Sequence, residues 1–129
     1  MRIGITPDVG PGGAYTYASY GVPWATLSNT PFRQYKRWVH EGGISTPFIA
    51  SWANGRLAQS AIVHTAYQLV NVVPTLLDAA GLEPSDFVAE GSSMLPAMRG
   101  EAVEEAPLYW EHVGNAAIRR GRWKLVRDH

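Results

Sequence analysis

The residues best spaced to meet an anion lie between Ser28 and Ile49, in the stretch SNTPFRQYKRWVHEGGISTPFI. Arg33, Lys36 and Arg37 stand just ahead of Glu41-Gly42-Gly43, where two glycines let the backbone turn sharply or approach a neighbour closely. A cation on a short segment before such a turn and a buried strand can reach an anionic ligand at the strand edge. On spacing alone, a solvated lysine beside a structural turn is the commoner case. Other chemistry is less well supported. Gly10-Pro11-Gly12-Gly13 lacks the following Gly-Lys-Ser/Thr of a phosphate loop. His40, His64, His112 and His129 are scattered, with no His-Glu-x-x-His, so no metal site is read from them. Ser28, Ser45 and Ser51 lie on no Gly-x-Ser-x-Gly elbow. Cys is absent, which removes disulfides, thiolate metal sites and Cys nucleophiles.

The chain that must position these residues has 129 of them, 46% hydrophobic and 17% charged, which is one globular domain able to bury a core. Thirteen Gly and nine Pro predict long connections between short elements. Equal numbers of basic and acidic side chains give zero formal charge, so no global field draws the chain to nucleic acid or anionic membrane. The charge is unevenly spread. Residues 1–64 carry +3 and 65–129 carry −3, with an acidic surface loop from Glu83 to Glu111 followed by a basic end (Arg119, Arg120, Arg122, Lys124, Arg127). The start, MRIGITPDVG, has no basic stretch followed by an apolar run, so no signal peptide is expected in this chain. The most apolar stretch, Ala61 to Leu82, is too interrupted by polar residues to span a membrane, so the chain is expected to be soluble, with its compartment open.

Val9 to Trp24 has no period and reads as irregular. Thr46 to Trp52 (TPFIASW) reads as a buried strand, followed by a turn at Asn54-Gly55. Leu69, Val72, Val73, Leu76, Leu77 and Ala80 form one apolar helical stripe. Asn71 is the expected N-cap, leaving Pro74 in the first turn; a capping box from Thr65 to Gln68 is the competing start. Gly81 is the expected left-handed stop, with Leu82 closing a Schellman motif. Pro107 to His112 reads as a strand. Ala116–Arg119 and Arg122–Arg127 read as a hairpin turning at Arg120-Gly121, with Ile118, Trp123 and Leu125 facing the core. The order is α/β at the front and antiparallel at the back.

The Lys36-to-Ile49 stretch resembles the sulfatase family, arylsulfatases in particular, whose central region carries a Lys, a Glu-Gly-Gly-Ile turn, then Thr-Pro and an apolar strand. The similarity continues through Val73-Pro-Thr-Leu-Leu-Asp-Ala-Ala-Gly81, Gly91-Ser-Ser-Met-Leu-Pro96, Tyr109-Trp-Glu-His112, Ala117-Ile-Arg119 and Gly121-Arg-Trp-Lys-Leu125, over roughly residues 14–127 in the family's order. The resemblance implies an α/β fold of the alkaline-phosphatase-like sulfatase type. Residues 1–100 would form the C-terminal part of its catalytic domain, and 101–129 the start of a small C-terminal antiparallel subdomain. It also implies hydrolysis of sulfate esters by a formylglycine nucleophile on a divalent cation, usually calcium.

Only one active-site position of the family maps onto this chain: Lys36, which would contact the substrate sulfate. The nucleophile motif, Cys or Ser followed by x-Pro-x-Arg, is missing; Asn29-Thr30-Pro31-Phe32-Arg33 has its spacing but Asn in the nucleophile's place. The metal-binding aspartates and Asp-Asn-Gly are also missing, so neither calcium nor formylglycine has its residues here. Gln68 and Asn71 replace the His and Asp common in relatives. The expected partner is a small sulfate ester, with no nucleic acid and no membrane, and a fragment of this kind is open to self-association. The rival readings are a phosphonate or phosphate ester hydrolase of the same superfamily, a truncated inactive product, and a binding module using the basic hairpin.

Overall fold

A computed structural model of the chain describes residues 2–3, 16–17, 21–58, 61–82 and 90–129. Two short strands, β1 (Arg2–Ile3) and β2 (Thr16–Tyr17), pair in parallel, Arg2 with Thr16 and Ile3 with Tyr17. They are followed by α1 (Gly21–Ser28), α2 (Glu41–Ile44), a 3-10 turn (Leu69–Asn71) running into α3 (Val72–Ala79), and α4 (Leu95–Met98). A second sheet, in the order β3 (Leu108–His112), β4 (Asn115–Arg120), β5 (Trp123–Arg127), is an antiparallel meander. Helices with an antiparallel sheet agree with the α/β expectation. By internal contact the chain forms two compact units, one of residues 1–45, 111–116 and 126–129, the other of 46–110 and 117–125. No helix among the described residues is long and apolar enough to cross a membrane.

The reading of Val9–Trp24 as irregular is corrected at two places. Thr16–Tyr17 is a strand and Gly21–Trp24 opens α1, while most of the remainder lies outside the described residues. The α1 sequence, GVPWATLS, buries nothing, so it has no apolar period to read. Its Thr and Ser instead turn their hydroxyls back onto the preceding turn: Thr26 Oγ1 donates to Val22 O (2.9 Å) and Ser28 Oγ to Trp24 O (2.8 Å).

Thr46 to Trp52 is not a strand. It runs as irregular, exposed chain, with Ile49 92% exposed. A strand buried on both faces needs neighbours for its backbone and helices over its side chains, and the described residues supply neither. The turn that follows it is as expected: Gly55 N–H closes on Trp52 O (3.1 Å).

The helix start is placed as expected but held differently. Asn71 is the N-cap residue of α3, with helical backbone and no side-chain bond to its first turn. Its Oδ1 accepts from the Gln68 N–H (2.8 Å) in a capping box that closes the 3-10 turn one step earlier, and its Nδ2 donates to Ser92 O (3.0 Å). Thr75 continues the network, donating to Asn71 O (2.6 Å) and accepting from the Met94 N–H (2.9 Å). Ser93 Oγ donates to Asp78 Oδ2 (2.5 Å) and accepts from the Leu95 N–H (3.1 Å). These bonds satisfy the buried Asn71 and Thr75 and seat α4, whose Leu95 and Ala97 are buried with Met94. The face of α3 that packs is therefore the one bearing Pro74 and Thr75. The predicted apolar stripe is largely open: Leu69, Val73 and Leu76 are exposed and Leu77 is half-buried.

The stop of α3 is the Schellman motif expected. Leu82 N–H reaches Leu77 O (3.0 Å), Gly81 N–H reaches Asp78 O (3.0 Å), and Gly81 has φ 71°. Within the segment read as an acidic loop, α4 ends in the same way at Gly100 (φ 82°), with Glu101 N–H on Pro96 O (3.0 Å); residues 83–89 of that loop lie outside the described residues.

In the sheet, the β4–β5 link is Gly121-Arg122, one residue later than expected, because Gly121 (φ 55°) occupies the first position of the turn. Ile118, Trp123 and Leu125 do share a face, but it is exposed. The covered side carries Ala117, with the Lys124 ammonium 5.4 Å from the Trp110 ring. At the β3–β4 link, Val113 (φ 52°) and Gly114 (φ 80°) form a turn with both central residues left-handed, where a β-branched residue is strained. Val113→Asn is expected to raise stability by about 0.5–1 kcal/mol, read from the urea midpoint; an unchanged or lower midpoint would mean the turn does not hold Val113 as described.

Candidate functional site

Lys36 sits at a corner. The Trp38 N–H closes on Tyr35 O (2.9 Å), which makes residues 35–38 a β-turn with Lys36 and Arg37 at its two central positions. Side chains there point away from the closing hydrogen bond, and both are exposed. Their surroundings differ. The Arg37 guanidinium lies 5.9 Å from the Trp38 ring centroid. Among the described residues no hydrogen bond or ion pair ties down Lys36.

What braces this corner is the Glu41-Gly42-Gly43 sequence, now the short helix α2. A methyl group on Gly43 would strike the carbonyl oxygens of Trp38 and Tyr35, and one on Gly42 those of Gln34 and Arg33. The two glycines thus let α2 lie with its backbone directly against the turn that carries Lys36, and Gly42 N–H bonds to Arg33 O (3.0 Å). Just before the turn, Gln34 takes a left-handed backbone (φ 64°) and its Oε1 is buried without a hydrogen bond among the described residues. Val39, 1% exposed, anchors the segment from inside. The close-approach role expected of Gly-Gly is what the geometry displays.

His40 opens α2 with extended backbone, its Nδ1 3.6 Å from Asp128 Oδ1, beyond hydrogen-bonding range. The Asp128–His129 end is held by Asn115, whose Oδ1 accepts from the His129 N–H (3.1 Å). No sequence signal links His40 to Asp128; their approach depends on tertiary packing. Elsewhere in the chain, burial pushes the Tyr67 phenol above its ordinary value of 10.0 and the negative charge of Glu105 adds to the effect. Tyr67 is therefore a hydrogen-bond donor at neutral pH, not a base.

The other sequence candidates are spent structurally or left apart. The Ser28 hydroxyl is committed to Trp24 O, and Ser45, Ser51 and His64 are exposed. The His129 ring lies against Gly114. The Gly10–Gly13 loop lies outside the described residues. No group of three His, Asp or Glu side chains among the described residues could hold a metal ion. These residues therefore do not fit a calcium site, and with no Cys and no Ser at the motif position the chain offers no formylglycine precursor.

No protein-family model matches the chain. Individual proteins do. It is 37% identical to an N-acetylgalactosamine-6-sulfatase of Canis lupus familiaris, over 64% of this chain and 16% of that protein. It is 33% identical to a steryl-sulfatase of Mus musculus, over 74% of this chain and 15% of that protein. An arylsulfatase of Klebsiella aerogenes is 33% identical, over 58% of this chain and 16% of that protein. The chain belongs to the sulfatase family. This sulfatase segment spans about a sixth of the length of the curated relatives it matches.

Proposed function

We propose that this sulfatase segment serves the hydrolysis of sulfate esters, and that Lys36 supplies positive charge to the ester's sulfate. The observation that carries the proposal is the Lys36 corner: an exposed ammonium with no partner among the described residues, on a turn braced by α2 through Gly42 and Gly43. A preorganised cation stabilises the charge that accumulates on sulfate oxygens as the ester bond breaks, and it does so without rearranging during the reaction. The braced turn fixes the Lys36 backbone, so only its side chain is left to be ordered on binding. In this reading residues 1–100 belong to the catalytic α/β domain and 101–129 begin the C-terminal antiparallel subdomain. The metal and the nucleophile come from parts of a complete sulfatase that this segment does not supply. The proposed substrate is a small sulfate ester; the names of the relatives extend from aryl and steryl sulfates to sulfated amino sugar, and nothing in the Lys36 corner chooses among them.

The isolated chain should not turn over a chromogenic aryl sulfate, with or without added calcium. Turnover above that of a Lys36→Ala control would show that its residues contain a complete site. The function itself is tested on a complete polypeptide carrying the segment, offered aryl sulfate, aryl phosphate and aryl phosphonate in parallel. Preference for the sulfate supports the reading; preference for either of the others moves the chain to a different ester.

A further inference from the structure

The corner that carries Lys36 is strained. Gln34, which leads into it, takes a left-handed backbone (φ 64°) that glycine and asparagine accept readily and glutamine does not. Among the described residues, Gln34 Oε1 and His40 Nδ1 are the side-chain atoms buried without a hydrogen bond, and they lie on either side of Lys36 in the chain. A link between elements does not account for the strain. The other non-glycine residues with left-handed backbone among the described ones, Arg56 and Val113, lie in the turn after Trp52 and in the β3–β4 link, whereas Gln34 leads only into the Lys36 turn. Strained backbone and unpaired polar atoms gather where a local geometry is held for function.

We propose that Gln34 is a positioning residue for Lys36: its left-handed backbone makes the bend that sets the Lys36 turn against α2 and so aims the ammonium at the sulfate. The inference rests on the sulfate-ester reading and deepens it.

The neighbours of Gln34 leave it little choice. Arg33 O accepts from the Gly42 N–H (3.0 Å), and the carbonyl oxygens of Tyr35 and Trp38 lie against Gly43, so the chain is pinned to α2 on both sides of Gln34. The change of direction between those anchors falls on this one residue. Extended or right-handed backbone at Gln34 would swing the 35–38 turn off Gly43 and carry Lys36 with it. The side chain matters as well as the dihedral angle. Glycine reaches the same conformation with less strain, but it reaches many others as easily. Glutamine, half-buried here, has a β-carbon that narrows the choice, and asparagine combines a β-carbon with tolerance of the left-handed region. A narrower range of backbone at position 34 means a narrower range of Lys36 positions. A cation already in place then meets the charge developing on the ester without first being ordered.

The test compares Gln34→Gly and Gln34→Asn with Lys36→Ala in a complete sulfatase polypeptide carrying this segment, with a chromogenic aryl sulfate as substrate. If Gln34 served folding alone, relief of its backbone would leave activity at or above that of the parent. The expected result is the reverse. Gln34→Gly keeps or raises the urea midpoint yet lowers kcat about tenfold, with KM within about twofold, while Gln34→Asn retains at least about half of kcat. In the same polypeptide the Trp38 amide, bonded to Tyr35 O, should exchange with solvent about tenfold faster in Gln34→Gly than in the parent, with the Leu82 amide of the α3 stop unchanged. Parental kcat or parental Trp38 exchange in Gln34→Gly, beside an impaired Lys36→Ala, overturns this inference and leaves the sulfate-ester reading standing. So does a Gln34→Asn variant no better than Gln34→Gly. A loss of kcat matched by a lower urea midpoint and faster Leu82 exchange also overturns it, since the fold and not the corner would then be failing. A silent Lys36→Ala removes the sulfate-ester reading and this inference together.

Discussion

Lys36→Ala, made in a complete sulfatase polypeptide that carries this segment, is expected to lower kcat/KM for a sulfate ester by ~10² or more, while Arg37→Ala lowers it by less than about fivefold. Adjacent basic residues rarely differ so much, and the turn is the reason. Both side chains leave the 35–38 corner, but the Arg37 guanidinium rests near the Trp38 ring, whereas Lys36 has no partner among the described residues to give up before it meets an anion. The loss should fall on kcat more than on KM, because the charge it answers is greatest in the transition state. Lys36→Arg should recover only part of it, since a planar fork cannot replace a compact ammonium at the same point. Equal effects of the two alanine substitutions would remove Lys36 from the role proposed.

The second large effect is on stability. Gly43→Ala is expected to cost about 3 kcal/mol or more, because the added methyl would overlap two backbone carbonyl oxygens, and backbone gives way less readily than a side chain. Gly42→Ala should cost a similar amount against Gln34 and Arg33. Gly81→Ala provides the contrast. Nothing lies within 4 Å of its added carbon, so it pays only for a left-handed backbone, about 1 kcal/mol. Urea midpoints of the three variants compare these costs directly. Were Gly43→Ala no worse than Gly81→Ala, α2 would not bear on the Lys36 turn as closely as described.

Where local chemistry settles the structure, it was legible in the amino-acid order. The Gly81 stop, the Asn54-Gly55 turn and the strand ending at His112 each follow from a few adjacent residues, and the α4 stop at Gly100 obeys the same rule as Gly81. The close approach of Gly-Gly to its neighbour was also readable, although which neighbour it meets was not. What failed was burial. Periodicity identifies the apolar side of α3 and of the last hairpin, but whether anything covers that side depends on other chain, and here Leu76 and Leu125 are open. For the same reason Thr46–Trp52 has strand composition without strand structure. The α1 helix was missed from the other direction: it buries nothing, so it carries no pattern. In the candidate site, Lys36 was singled out through the family resemblance and its role is a proposal, while the Arg37–Trp38 contact and the approach of His40 to Asp128 arise from packing and left no trace in spacing.

Thr75 shows how narrow the tolerance of such a network is. Its hydroxyl both donates a hydrogen bond to Asn71 O and accepts one from the Met94 amide, at a side chain only 7% exposed. Valine has nearly the same outline and can do neither, leaving a buried amide without an acceptor. If position 75 were randomised and the chains selected for folding, the survivors should be threonine and serine, with valine lost despite its size. At this position the alphabet is restricted by proton bookkeeping more than by volume.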